Sequence, residues 1–176
     1  RSPSRGLGDV YKRQVNPLND SAVIGTNTGA TLAEGASLTI TQSMLNEADP
    51  DDHGTGLTYT ASSLTNGHIE VNGATQNTFT QNDIALGRVA FIHDGSETAA
   101  ASFDISLADN LENGAVADTG TFNMTITPVN DAPVQITNTG ETIAENAATI
   151  LSNTRLSATD IDNTNANLLY TITALP

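Results

Sequence analysis

The chain has 176 residues, of which 38% are hydrophobic but only 4% aromatic, and it carries 20 acids against 6 bases for a net charge of −14. That balance excludes a nucleic-acid partner, because neutralising phosphates needs a basic face, and the lack of cysteine excludes disulfides, thiolate metal sites and thiol nucleophiles. No stretch approaches the roughly 18 apolar residues that cross a bilayer, so no membrane insertion is expected of these residues.

Four of the six bases, Arg1, Arg5, Lys12 and Arg13, fall in the opening run RSPSRGLGDVYKRQ. This run is unpatterned and reads as a translated cloning or assembly scar, a non-native or unstructured leader over 1–14. A basic tail for anionic surfaces is the alternative reading. From residue 15 onward 19 acids face only Arg88 and Arg155. So many carboxylates repel one another in a compact state unless cations neutralise them. No apolar signal core opens the chain and the pattern breaks off at Leu175 and Pro176. Export signals and anchors are therefore expected outside these residues.

The chain repeats itself at an offset of 111, with 19 identities when residues 15–65 are laid ungapped over 126–176. Among them are Pro17/Pro128, Asn19/Asn130, Asp20/Asp131, the Thr26–Gly29 run over Thr137–Gly140, Glu34/Glu145, Asp49/Asp160, Asp51/Asp162 and Tyr59/Tyr170. A fixed period of this length means modules in series. The expected division is a linker end over 15–20, a complete repeat over 21–131 and the truncated start of a second over 132–176.

Within the repeat, Leu38/Ile40, Leu57/Tyr59, Ile69/Val71, Val89/Phe91, Phe103/Ile105/Leu107 and Phe122/Met124/Ile126 alternate with polar residues. Each pair or triplet lines one face of a strand. Gly54-Thr55-Gly56, Asn66-Gly67, Asn72-Gly73, Asp94-Gly95 and Asn113-Gly114 separate them with residues suited to tight turns. Only Thr80–Asp83, followed by Ile84, reads as a capped helical turn. Six or seven strands in about 110 residues predict an all-β, Greek-key antiparallel sandwich.

Three carboxylate-bearing spots recur or pair as a hard cation requires. Asp49-Pro50-Asp51-Asp52 is matched by Asp160-Ile161-Asp162-Asn163, and two carboxylates at i and i+2 of a bent loop can turn toward one ion. The loop is not an EF-hand, since Thr60 stands where the closing Glu belongs and His53 holds the fifth position. Glu34, with its copy Glu145, precedes the first alternating strand, and Asn130-Asp131-Ala132-Pro133 repeats Asn19-Asp20 in a Pro-stiffened linker. Turn formation and a solvated acidic surface are the plain alternative for each. Arg88 and Asp94 read as a surface ion pair.

The runs Phe79–Ile84, Gly87-Arg88-Val89, Phe91–Glu97, Ser102-Phe103-Asp104 and Leu107-Ala108-Asp109 together resemble the cadherin-like repeat of the chondroitin-sulfate-proteoglycan type, found in tandem in large bacterial surface adhesins. The resemblance implies Ca2+ at module junctions. Carried over by position, Glu34, Asp94 or Glu97, Asn130, Asp131, Asp160 and Asp162 would serve the junction with the next repeat. Asn19, Asp20, Asp49 and Asp51 would serve the junction with the preceding one. Pro128 and Ala132 stand where the family linker has an acid and a second Asn, and the mid-repeat motif is His-Asp-Gly-Ser-Glu.

The implied role is a calcium-stiffened spacer and interaction module of an extracellular, cell-surface or secreted protein, whose partners are neighbouring repeats of the same chain. A glycan- or protein-binding module using one sandwich face is the alternative. An enzyme is not expected: His53, His68 and His93 lack ligand spacing, no nucleophile elbow is present, and sugar-stacking aromatics are few, with no Trp and three Tyr.

Overall fold

The computed structural model describes residues 19–109 and 114–173. The expected leader over 1–14 and Asn113 of the Asn113-Gly114 turn lie outside the described residues. The chain divides into two compact units, residues 1–127 and 128–176.

In the first unit the alternating runs are strands. They are β1 (Ile24–Asn27), β2 (Ala30–Ala33), β3 (Ser37–Thr39), β4 (Leu45–Glu47), β5 (Thr58–Thr65), β6 (Gly67–Val71), β7 (Ala74–Thr75), β8 (Thr78–Thr80), β9 (Val89–His93), β10 (Ala100–Ala108) and β11 (Asp118–Thr127). One sheet has the order β2-β11-β10-β5-β8 and another β3-β9-β6-β7, with β1 and β4 paired separately. All pairings in the unit are antiparallel except that of β2 with β11, where Ala30 to Ala33 run alongside Met124 to Thr127. The expected all-β sandwich is the architecture found.

All of the alternating apolar residues are buried in one core except Leu38, which is partly buried against it. The four phenylalanines and Tyr59 sit at its centre. Phe103 of β10 stacks on Phe122 of the same sheet at 5.1 Å and on Phe91 of the other sheet at 6.2 Å. With so few aromatic rings, concentrating them between the sheets places the largest side chains where burial is most complete.

Turns are built as the residue types dictate. Asn66, Asn72, Gly73 and Gly95 take positive φ, which Gly and Asn tolerate better than other residues. The helical turn is α1 (Gln81–Ala85), closed by a reciprocal capping box. Thr80 Oγ1 accepts from the Asp83 N–H, and Asp83 Oδ2 accepts from the Thr80 N–H.

The second unit holds β12 (Val134–Asn138) paired antiparallel with β13 (Leu156–Thr159). This ladder repeats that of β1 and β4 at the offset of 111: Ile24 faces Glu47 as Gln135 faces Ala158, and an irregularity follows at the same place in both. Arg155 in this unit pairs with Glu141 at 2.8 Å.

Candidate metal centre

The register of β10 and β11 sorts the acidic residues of the first unit to its two ends. Leu107 lies opposite Asp118 and Ala100 opposite Thr125, so Asp109 and Asp118 mark one end and the exit of β11 at Thr127 marks the other. The Asp49 loop belongs to the first end, because β4 leads into it and the Ala48 N–H donates to Val23, just before β1. Glu34 belongs to the second, since its N–H donates to Thr127.

At the first end, Asp49, Asp51 and Asp52 bring carboxylate oxygens within 4.8 Å of one another. The loop folds around Asp49, which is only 3% exposed. Its Oδ1 accepts from the N–H groups of Asp51 (3.0 Å) and Asp52 (2.9 Å). Its Oδ2 is buried and has no hydrogen-bond partner. The Asp20 N–H donates to the Asp51 carboxylate at 3.3 Å, and Asn19 Nδ2 donates to Asp109 Oδ2 at 2.7 Å. Thus the expected residues Asn19, Asp20, Asp49 and Asp51 fall in one neighbourhood, joined by Asp52 and the buried Asp109.

Burial pushes the Asp49 carboxyl up, but the donations from Asp52 and Asp51 outweigh it and hold this group below the usual carboxylate value. Asp51 is pushed up by desolvation, by its hydrogen bonding with Asp49 and by the neighbouring charges of Asp49 and Asp20. Such a loop gathers negative charge that it does not itself neutralise.

At the second end, Glu34 and Glu97 bring carboxylate oxygens within 4.8 Å. Beside them, Asp94 Oδ1 accepts from the Ser96 N–H at 3.0 Å, and hydrogen bonding from Ser96 holds its carboxyl below the usual value. Asp94 does not make the pair with Arg88 expected from the sequence. Arg88 lies 3.5 Å from Asp83 instead, because the turn that ends α1 brings the Arg88 N–H onto the Asp83 carbonyl and its side chain beside that residue.

The remaining expected residues lie in the second unit, where they reproduce the geometry of the first. Asp160 Oδ1 accepts from the N–H groups of Asp162 and Asn163, and the Asp131 N–H donates to Asp162 Oδ2 at 2.6 Å. Asn130 Nδ2 donates to the Asp131 carbonyl as Asn19 Nδ2 does to that of Asp20. The same loop conformation therefore recurs in both units, with the Asp-x-Asp carboxylate meeting an Asp N–H 31 positions earlier in each.

Residues 22–126 match the model of the Cadherin-like family. The chain belongs to that family. Among its relatives, Extracellular matrix organizing protein FRAS1 of Homo sapiens is 29% identical, over 98% of this chain and 5% of that protein. FRAS1-related extracellular matrix protein 2 of Homo sapiens is 33% identical over 90% of this chain and 5% of its own length. Chondroitin sulfate proteoglycan 4 of Mus musculus is 38% identical over 54% of this chain and 4% of its own length. The chain thus spans a small fraction of the curated relatives it matches.

In this cadherin-like unit the donors around Asp49 are all oxygens, and one of them is buried without a partner, a set that fits a hard cation such as Ca2+. Sequence reasoning missed Asp109. The signal was present, since Asp109 continues the inward parity of Phe103, Ile105 and Leu107, and an acid at a buried position needs a partner.

Proposed function

We propose that the chain is a calcium-binding structural module of a large extracellular protein, with each acidic end serving a junction between successive repeats. The observation that carries this reading is Asp49 Oδ2, a buried carboxylate oxygen without a partner among further carboxylates. Leaving such an oxygen unpaired is costly, and a cation would offset that cost. Asp49, Asp51, Asp52 and Asp109, with Asn19, would hold the ion at the first end. Glu34 and Glu97, and in the second unit Asn130, Asp131, Asp160 and Asp162, would serve the following junction. Residues 21–131 are then one repeat of an array and 132–176 belong to the next. Bound ions neutralise the ends and stiffen the array, whose role is that of a spacer. The names of the matrix relatives support an extracellular setting, and a surface adhesin is a compatible one.

The alternative, a ligand gripped by a sandwich face, has less support. The outer face of the five-stranded sheet carries a shallow depression lined by residues such as Thr31, Thr65, Ser102, Asn123 and Thr125, and another lined by Ser62, Asp104 and Thr121. No aromatic residue lines either hollow, so neither offers a ring for a sugar to stack on.

Thermal melting of the chain with calcium and with chelator tests the proposal. Extracellular modules bind calcium with a Kd of about 10⁻⁴ to 10⁻³ M, and an ion concentration a hundredfold above Kd stabilises by about 2.7 kcal/mol per site. A calcium-dependent rise in Tm that shrinks in Asp49→Asn is expected. An unchanged Tm would sink the reading and leave the acidic loops as solvated turns.

A further inference from the structure

Behind the Asp49 loop runs a line of polar contacts that metal ligation does not use. Glu47, the last residue of β4, accepts from the Asp49 N–H through Oε2 at 2.7 Å, and its Oε1 lies 3.0 Å from His53 Nδ1. Both carboxylate oxygens are thereby engaged, one on each side of the loop. The Glu47 N–H in turn donates to Gln81 Oε1 at 3.3 Å, which also accepts from the Tyr59 hydroxyl at 2.9 Å. Gln81 Nε2 donates to Asn46 Oδ1 at 2.8 Å. Gln81 and Tyr59 are buried. A continuous hydrogen-bonded line therefore joins the core at Tyr59 to the backbone of Asp49.

The second copy lacks this brace. Ala158 stands where the first copy has Glu47, and Thr164 where it has His53. There Asn163 Nδ2 donates to Asp160 Oδ1 at 3.1 Å, a contact made from within the loop. The two loops share their backbone hydrogen bonds and differ in what holds them from outside.

We infer that Glu47 is a positioning residue for the Asp49 loop, anchoring it to the core through Gln81, and is not itself a metal ligand. The inference rests on the calcium reading proposed above. It turns on shape and hydrogen bonding, since a Gln side chain at position 47 could still accept from the Asp49 N–H and meet His53. Groups that orient metal ligands typically change affinity by about 10- to 100-fold when removed.

The test compares calcium titrations of the whole chain carrying Glu47→Ala, Glu47→Gln or Asp49→Asn with those of the unaltered protein. Glu47→Ala is expected to weaken calcium binding at least about tenfold, and Glu47→Gln to regain most of that loss. If Glu47→Gln is as damaging as Asp49→Asn, Glu47 is a ligand and the inference is overturned. It is equally overturned if Glu47→Ala titrates like the unaltered protein. Hydrogen exchange of the Asp49 amide, measured in chelator, separates this inference from the calcium reading. Should the unaltered chain ignore calcium, the calcium reading fails, while faster exchange in Glu47→Ala but not in Glu47→Gln still upholds the brace. Equal exchange in all three proteins removes it.

Discussion

Residues 24–61 of the first unit and 135–172 of the second carry the same pattern, and their fates differ. Ile40 is fully buried while its counterpart Leu151 is 59% exposed; Leu32 is 7% exposed against 52% for Ile143; Tyr59 is fully buried against 50% for Tyr170. The local features survive the difference. The Thr28 N–H donates to Met44 as that of Thr139 does to Arg155, and Thr41 bonds Ser43 as Ser152 bonds Thr154. What separates the units is that β6, β9, β10 and β11 supply the other half of the first core, and no counterpart of them occurs among the described residues of the second. These hydrogen bonds lie within the segment that both units share, whereas burial depends on strands outside it.

The largest effect should come from the core itself. Phe103→Ala removes a fully buried ring stacked on two others, and a loss of about 3–5 kcal/mol is expected in denaturant unfolding of the first unit. Leu151→Ala, at the exposed counterpart of Ile40, should change stability by less than about 0.5 kcal/mol. Similar costs for the two would abolish the distinction drawn between the units.

Next in size is a pair of equivalent glycines. Gly29 has a φ of +67°, and a Cβ there would collide with the carbonyl oxygen of Asn123, whereas a Cβ on Gly140 would meet nothing within 4 Å. Gly29→Ala should therefore destabilise by roughly 1–3 kcal/mol, and Gly140→Ala should leave the melting curve of the chain in place. A tolerated Gly29→Ala would show that β2 and β11 are not as closely apposed as their register implies.

The smallest effect concerns the capping box, which has no equivalent among the described residues of the second unit. Thr80→Ala should cost about 1 kcal/mol. Hydrogen bonds from the Thr80 side chain and N–H hold the Asp83 carboxyl below its usual value. Because the folded state lowers this pKa, the contribution is complete above the ordinary carboxylate range and is lost as pH falls through and below it. Melting as a function of pH should show a weaker acid destabilisation in Asp83→Asn than in the unaltered chain; identical profiles would mean that the box contributes nothing titratable.

Much of this was legible in the residues. Period-2 alternation identified the inward face of each long strand, because a strand that packs on one side must keep its apolar residues on that side. The Thr80–Asp83 box and the Asn and Gly turns were readable because each acts over four residues or fewer. The Asp-x-Asp loops were visible through their repetition, but the Glu47 and Gln81 brace was not, since 34 positions separate its two halves. The pairing of Arg88 with Asp83 rather than Asp94 likewise depended on how the chain turns after α1, which composition does not encode.

By itself, the sequence determined the strand faces, the turns, the repeat and the local fold of the acidic loops, since all of these depend on short-range sterics and hydrogen bonds. Only the tertiary structure decided which carboxylate is buried with one oxygen left without a hydrogen-bond partner. Asp49 and Asp160 open nearly the same loop, yet it is Asp49 that is buried, because the packing of the first sandwich surrounds it.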